Sequence, residues 1–211
     1  MSESFLALSR VHFPVSALGP GRRVGIWFQG CSRRCPGCIS PDTWKFARAA
    51  LSVADCIRSL DHCLRRCDGV TLTGGEPLDQ IAALKALARA LKKHYSKSIF
   101  LFTGHAYAEA LPLLSMLSPD IDAAMCGPYE ASQPQTLALR GSDNQTLHCF
   151  TPLGESEFSS YERRAEARDK RLDAMFDADG SVWFAGIPAR GDMKRLNRFL
   201  EERARRLENG Q

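Results

Sequence analysis

Apolar residues alternate through RRVGIWFQG (22–30), where Val24, Ile26 and Phe28 recur at period two. That spacing predicts a strand. From Leu51 to Arg66 the period changes, with Val53, Ile57, Leu60, Leu64 and Cys67 recurring every three or four residues. This is the spacing of a helix with a single apolar stripe. Gly69–Thr73 reads as a short strand that runs into Gly-Gly-Glu-Pro. Asp79–His94, rich in alanine and leucine, reads as a second helix. SIFLFTG (98–104) reads as a buried strand ending in glycine, and 107–117 as a third helix. DIDAAMCG (120–127) reads as a further strand, and 136–150 as extended structure broken by a turn.

Strands alternating with helices predict an α/β fold with a mainly parallel sheet. In such sheets ligands sit at the carboxyl ends of the strands. The segments richest in cysteine, glycine and polar residues fall at those ends: the cysteine loop after Gly30, GGEP, TGH (103–105) and RGSDNQ (140–145). Their common placement predicts one functional face. After Phe150 the pattern weakens. Residues 154–180 are polar and read as a helix plus a connection, 182–188 as a short strand, and Met193–Leu207 as a helix with a basic outer face. The segment 151–211 is too short and too poor in apolar residues for a core of its own. It is expected as an extension packed on a domain formed by 1–150.

Composition narrows the function classes. The 211 residues are 44% hydrophobic and 25% charged, the balance of an ordinary globular protein. The net charge is +4, and the arginines are scattered among acids. That argues against a nucleic-acid surface, which concentrates its basic residues. No apolar run is long enough to span a membrane. The N-terminal residues lack the basic-then-apolar pattern of a signal peptide, so the cytoplasm is the expected compartment. Eight cysteines are too few for a disulfide scaffold. In a reducing compartment, clustered cysteines bind metal or do chemistry.

Cys31, Cys35 and Cys38 form a C-x3-C-x2-C array. Thiolates are soft ligands suited to zinc or to iron–sulfur clusters. A cubane ordinarily takes four thiolates, one per iron. Three supplied locally leave one iron open to a substrate. Gly30, Pro36 and Gly37 suit a loop bent around a compact ligand. The competing reading is a zinc site with a fourth ligand elsewhere, but zinc favours paired C-x2-C knuckles and no second knuckle exists. Cys56, Cys63, Cys67, Cys126 and Cys149 lie in apolar settings and are expected as packing residues.

Thr73-Gly74-Gly75-Glu76-Pro77 follows a strand. The glycines allow close backbone approach, and Glu76 offers a carboxylate to an ammonium group. Taken alone, the segment is equally readable as a turn in which Pro77 opens a helix. Together with the cysteine array it resembles the radical S-adenosylmethionine (SAM) superfamily. GPGRRVGIWFQGCSRRCPGCISPDTW (19–44), FTGHAYAEAL (102–111), CGPYE (126–130) and RGSDNQTLH (140–148) narrow the resemblance to the anaerobic ribonucleotide reductase activating proteins, a glycyl-radical-enzyme activase group.

That resemblance implies a partial (β/α) barrel with cluster and cofactor at the strand ends. It implies a 4Fe–4S cluster on Cys31, Cys35 and Cys38, with SAM bound by Gly74, Gly75 and Glu76. Thr103 and Gly104 would lie near its ribose or carboxylate, and Arg140, Ser142 and Asn144 would line the same region. Arg140 as an ion-pair partner and 142–144 as a turn are the plainer alternative. No catalytic side chain is expected beyond the cluster ligands: His105 and His148 are expected in ordinary polar roles, and Trp27 and Trp44 in packing. Gly37 stands where many superfamily members carry an aromatic residue before the third cysteine. The implied activity is reductive SAM cleavage to a 5′-deoxyadenosyl radical, which installs a glycyl radical on a larger partner enzyme. The implied reductant is a flavodoxin or ferredoxin. A small-molecule or peptide target, and a non-catalytic iron–sulfur or zinc module, are the other readings.

Overall fold

The computed structural model describes residues 4–177 and 179–208. The chain opens with β1 (Phe5–Leu6), β2 (Leu8–Val15) and β3 (Arg23–Phe28). The cysteine loop follows, then β4 (Leu51–Ser52), α1 (Val53–Arg66), β5 (Gly69–Gly74), α2 (Ile81–Tyr95), β6 (Ser98–Thr103), α3 (Tyr107–Leu117) and β7 (Ala123–Cys126). It continues through β8 (Thr146–Cys149), α4 (Pro152–Phe158), β9 (Leu172–Phe176), β10 (Val182–Gly186) and α5 (Asp192–Glu208). The local signals explain several boundaries. Ser52 caps α1 by accepting from the Asp55 amide at 3.1 Å. Pro77 opens a single 3-10 turn ahead of α2, and α2 stops at Ser96 in the left-handed conformation (φ 50°).

The main sheet runs in the order β2-β3-β5-β6-β7-β8. β3, β5, β6 and β7 are mutually parallel, and β2 and β8 are antiparallel edges. The fold is therefore mixed α/β with a largely parallel central sheet. Chain order is kept across the four parallel strands, so right-handed crossovers put α1, α2 and α3 on the same face. Alternate strand residues separate two cores. Val24, Ile26, Phe28, Ile99, Leu101, Ala124 and Cys126 pack with those helices. The residues between them, Trp27, Phe100, Ala123 and Met125, form a second core on the opposite face.

The segment after Phe150 covers that second face. Phe158, Met175, Ala185 and Ile187 belong to the same core. Phe158 stacks on Phe100 with ring centroids 4.4 Å apart and planes 12° from parallel. β9 and β10 pair as an antiparallel hairpin, held to the sheet by Asp173, which accepts from the Ser16 and Ala17 amides at 2.6 and 2.8 Å. Here the structure departs from the sequence reading of 154–180: the helix ends at Phe158 and β9 follows as a strand. Within 136–150 only Thr146–Cys149 joins the sheet, because the polar groups of 136–145 are used among themselves and their neighbours. β2 was not anticipated; as an edge strand with register shifts, it carries no clean alternation.

Candidate iron–sulfur and cofactor site

The cysteine loop leaves β3 at its carboxyl end and is braced at both sides. The Gly30 amide donates to the Thr43 carbonyl at 2.8 Å, and the Cys31 amide to the Trp44 carbonyl at 3.3 Å. Gly30 has φ +101°, and a Cβ there would lie 2.6 Å from the Phe46 ring. Ser32 donates through its amide and its hydroxyl to Asp79, each at 2.8 Å. This ties the loop to the turn after Gly-Gly-Glu-Pro.

Cys31 is buried, and Cys35 and Cys38 are half-buried. Burial pushes the Cys31 thiol up, and the amides of Arg34 and Arg33 oppose it. Burial also pushes Cys38 up, opposed by the Ser40 amide, 3.4 Å from its sulfur, and by the Trp44 indole. The charges of Cys35 and Cys31 act on Cys38, so the three sulfurs share one neighbourhood. Among the described residues, no three Cys, His, Asp or Glu side chains close on a point that could hold one metal ion. Three thiols on one loop suit a cluster in which each sulfur takes a different iron. N–H donors aimed at two of the sulfurs suit bound thiolates.

Gly-Gly-Glu lies directly beside this loop. The Gly75 amide donates to Phe28 O at 2.8 Å and the Glu76 amide to Gly30 O at 2.9 Å. A Cβ on Gly75 would lie 2.0 Å from Gly30 O, and one on Gly74 (φ +103°) 2.5 Å from Phe28 N. The close approach these glycines permit is thus the protein's own: β5 against the end of β3 and the root of the cysteine loop. Glu76 is 1% exposed. Its Oε1 accepts from the Leu78 amide at 3.0 Å and the Thr103 hydroxyl at 2.8 Å, and its Oε2 from the Gly104 amide at 2.7 Å. Burial raises the Glu76 pKa against those three donors. Thr103 and Gly104 therefore meet at Glu76, at the end of β6.

A cavity of about 550 Å³ opens alongside, walled by Gly37 and Cys38 of the cysteine loop, Thr73, Phe102, Tyr129 and Ile187. Residues 140–145 reach it through Gly141 and Gln145. Their other side chains point into the protein. Arg140 is buried and donates to Gln145 O at 2.7 Å, Ala138 O at 3.2 Å and Tyr161 O at 3.4 Å, and it pairs with Glu162. The Ser142 hydroxyl accepts from the Glu130 amide at 3.0 Å. Asn144 donates to Pro128 O at 2.8 Å, while its Oδ1 is buried without a partner. Tyr129 and Gln145 were missed as wall residues, although both lie in segments (CGPYE and RGSDNQ) that stood out in the sequence. Ile187 carried no signal beyond its place in a short apolar run.

The remaining candidates take ordinary roles. Cys56, Cys67 and Cys126 are buried in the first core, and burial raises Cys56 to about 11 and Cys126 to about 12. Cys63 and Cys149 pack at the edges of the two cores. His148 stacks on Tyr107 with centroids 3.5 Å apart. His105 faces Glu109 at 3.6 Å. Trp27 sits in the second core.

The family model for a 4Fe-4S single cluster domain matches residues 17–148. An anaerobic ribonucleoside-triphosphate reductase-activating protein of Enterobacteria phage T4 is 35% identical over 136 residues, covering 61% of this chain and 85% of the relative. The protein of that name from Vibrio cholerae is 31% identical, covering 66% of this chain and 96% of the relative, and the one from Escherichia coli is 28% identical, covering 65% and 95%. The matched region takes in the cysteine loop, Gly-Gly-Glu and residues 140–145. The chain thus belongs to the 4Fe-4S single cluster domain family and, within it, to the radical SAM activase group of anaerobic ribonucleoside-triphosphate reductase-activating proteins.

Proposed function

We propose that this protein installs a glycyl radical on an anaerobic ribonucleoside-triphosphate reductase. The observation that carries the reading is the joining of the cysteine loop to Gly-Gly-Glu through the Gly75–Phe28 and Glu76–Gly30 backbone hydrogen bonds. The cysteine loop would hold a 4Fe–4S cluster, and the chemistry such a cluster would supply is the one-electron reductive cleavage of SAM to methionine and a 5′-deoxyadenosyl radical. The chain's own residues bind, orient and enclose. Cys31, Cys35 and Cys38 would be the cluster's ligands. Gly74 and Gly75 bring Glu76 beside the loop, where its carboxylate pairs with the SAM ammonium. Thr103 and Gly104 hold that carboxylate in place by hydrogen bonds. Arg140 and Ser142 fix the loop that carries Gly141 and Gln145 to the cavity, and Asn144 braces it through its hydrogen bond to Pro128 O.

In this reading residues 1–150 make the radical SAM core, the sheet being the open segment of a (β/α) barrel, and 151–211 seal its inner face. No helix among the described residues is long and apolar enough to cross a membrane. We place the protein in the cytoplasm, reduced by a flavodoxin or ferredoxin, and without a nucleic-acid partner.

The test is electron paramagnetic resonance on anaerobic ribonucleoside-triphosphate reductase incubated with this protein, SAM and a reductant. A glycyl radical doublet is expected. SAM cleavage without that doublet would favour a second reading, radical transfer to a small molecule or peptide. One observation supports that alternative: Ile187, Arg190 and Lys194, beyond the residues the family model matches, wall one side of the cavity.

A further inference from the structure

Trp44 ends the 3-10 turn Pro41–Trp44, which closes the cysteine loop. Its carbonyl accepts from the Cys31 amide, so its backbone is fixed relative to the first cysteine. Its indole Nε1 is buried and has no hydrogen-bond partner among the described residues. An unpaired buried N–H is costly, so it is retained where something offsets that cost. The acceptor beside it is the Cys38 sulfur, which also takes the Ser40 amide at 3.4 Å. A neutral thiol is a weak acceptor and a metal-bound thiolate a far stronger one. The other two tryptophans are placed differently. Trp183 Nε1 donates to Asp177 at 2.6 Å, and Trp27 lies in the second core.

We infer that Trp44 donates its indole hydrogen to Cys38 Sγ when the cluster is bound and thereby sets the cluster's reduction potential. This rests on Cys31, Cys35 and Cys38 being the cluster ligands. The reduced cluster carries one more negative charge, so hydrogen bonds to its sulfurs favour reduction and raise the potential. Trp44 is a positioning and tuning residue that touches neither SAM nor the radical. The Ser40 amide is a second donor to the same sulfur, so removing Trp44 weakens this hydrogen bonding without abolishing it.

Two measurements on the reconstituted holoprotein test the proposal. In Trp44→Phe the ring packing is kept and the donor is lost. At a fixed potential its ratio of reduced to oxidised cluster should fall roughly tenfold, a shift of about 59 mV to more negative values for one electron. A potential unchanged or raised in a folded, fully loaded variant would overturn the proposal. The second measurement needs no substitution to fold. In protein labelled with 15N-indole tryptophan, hyperfine spectroscopy of the reduced cluster should show one weakly coupled 15N, retained in Trp183→Phe. A reduced cluster with no 15N coupling in the labelled parent protein overturns this proposal alone. A reconstituted protein that holds no cluster at all overturns the ligand assignment, and this proposal with it.

Discussion

Thr103, the last residue of β6, donates its hydroxyl hydrogen to Glu76 Oε1 at 2.8 Å, just beyond the end of β5. The bond links two strand ends through a carboxylate that burial drives toward its protonated form. In the proposed function it is the ionised form that binds the SAM ammonium. With its pKa raised above the ordinary value of 4.5, Glu76 takes up a proton at higher pH than a surface carboxylate does. SAM affinity should then be full above the raised pKa and fall as pH drops through it. Calorimetric titration of the reconstituted protein between about pH 8 and pH 5 checks this. Glu76→Gln should bind weakly with no such pH dependence; a variant whose titrations overlay the parent's would remove Glu76 from the binding role.

Gly75 cannot carry a side chain without moving Gly30. A Cβ 2.0 Å from Gly30 O meets backbone, which has little room to yield. Gly75→Ala is expected to cost about 1–3 kcal/mol and to lower iron content on reconstitution, because the displaced carbonyl immediately precedes Cys31. Gly37→Ala, with Tyr129 as its nearest neighbour at 3.3 Å, should lose only what its φ of +81° costs. Denaturant melts and iron analysis of both variants check the ordering.

The extension is part of the core. Phe158 is fully buried and stacks on Phe100. Phe158→Ala should therefore cost about 3–5 kcal/mol in urea unfolding. A loss below about 1 kcal/mol, the range of surface changes, would mean that 151–211 is merely attached.

Arg140 is a strut rather than a surface ion pair. Its Glu162 partner is 53% exposed, and an exposed partner contributes little. Glu162→Gln should change stability by less than about 1 kcal/mol. Arg140→Met leaves the Gln145 and Ala138 carbonyls without their donor and should cost about 3 kcal/mol. Equal losses in the two variants would mean that the ion pair, not the fork to the backbone, does the holding.

Much of this was legible in the chain because its signals are local. Period two in 22–30, the helical stripe that becomes α1 and the glycine at the end of β6 each act over a few residues. The cysteine array and Gly-Gly-Glu were visible as motifs, but their mutual hydrogen bonds were not, since Gly75 and Gly30 are far apart in sequence. The covering of the second face was missed for a similar reason. Phe158, Met175, Ala185 and Ile187 are spread thinly through polar sequence, and each finds its partner on a distant strand. Arg23 shows the limit plainly. It reads as a polar residue at the start of a strand, yet it is fully buried. There it bonds Thr71, Val70 and Ser98, with its pKa lowered to about 10 by burial.

The central claim is that three cysteines hold a cluster able to cleave SAM. The most direct measurement is the yield of 5′-deoxyadenosine and methionine from SAM under dithionite, for anaerobically reconstituted parent protein and for Cys35→Ala. The account predicts both products in equal amounts from the parent and none above background from the variant, whose cluster content falls. A Cys35→Ala protein that keeps its cluster and its cleavage would contradict it.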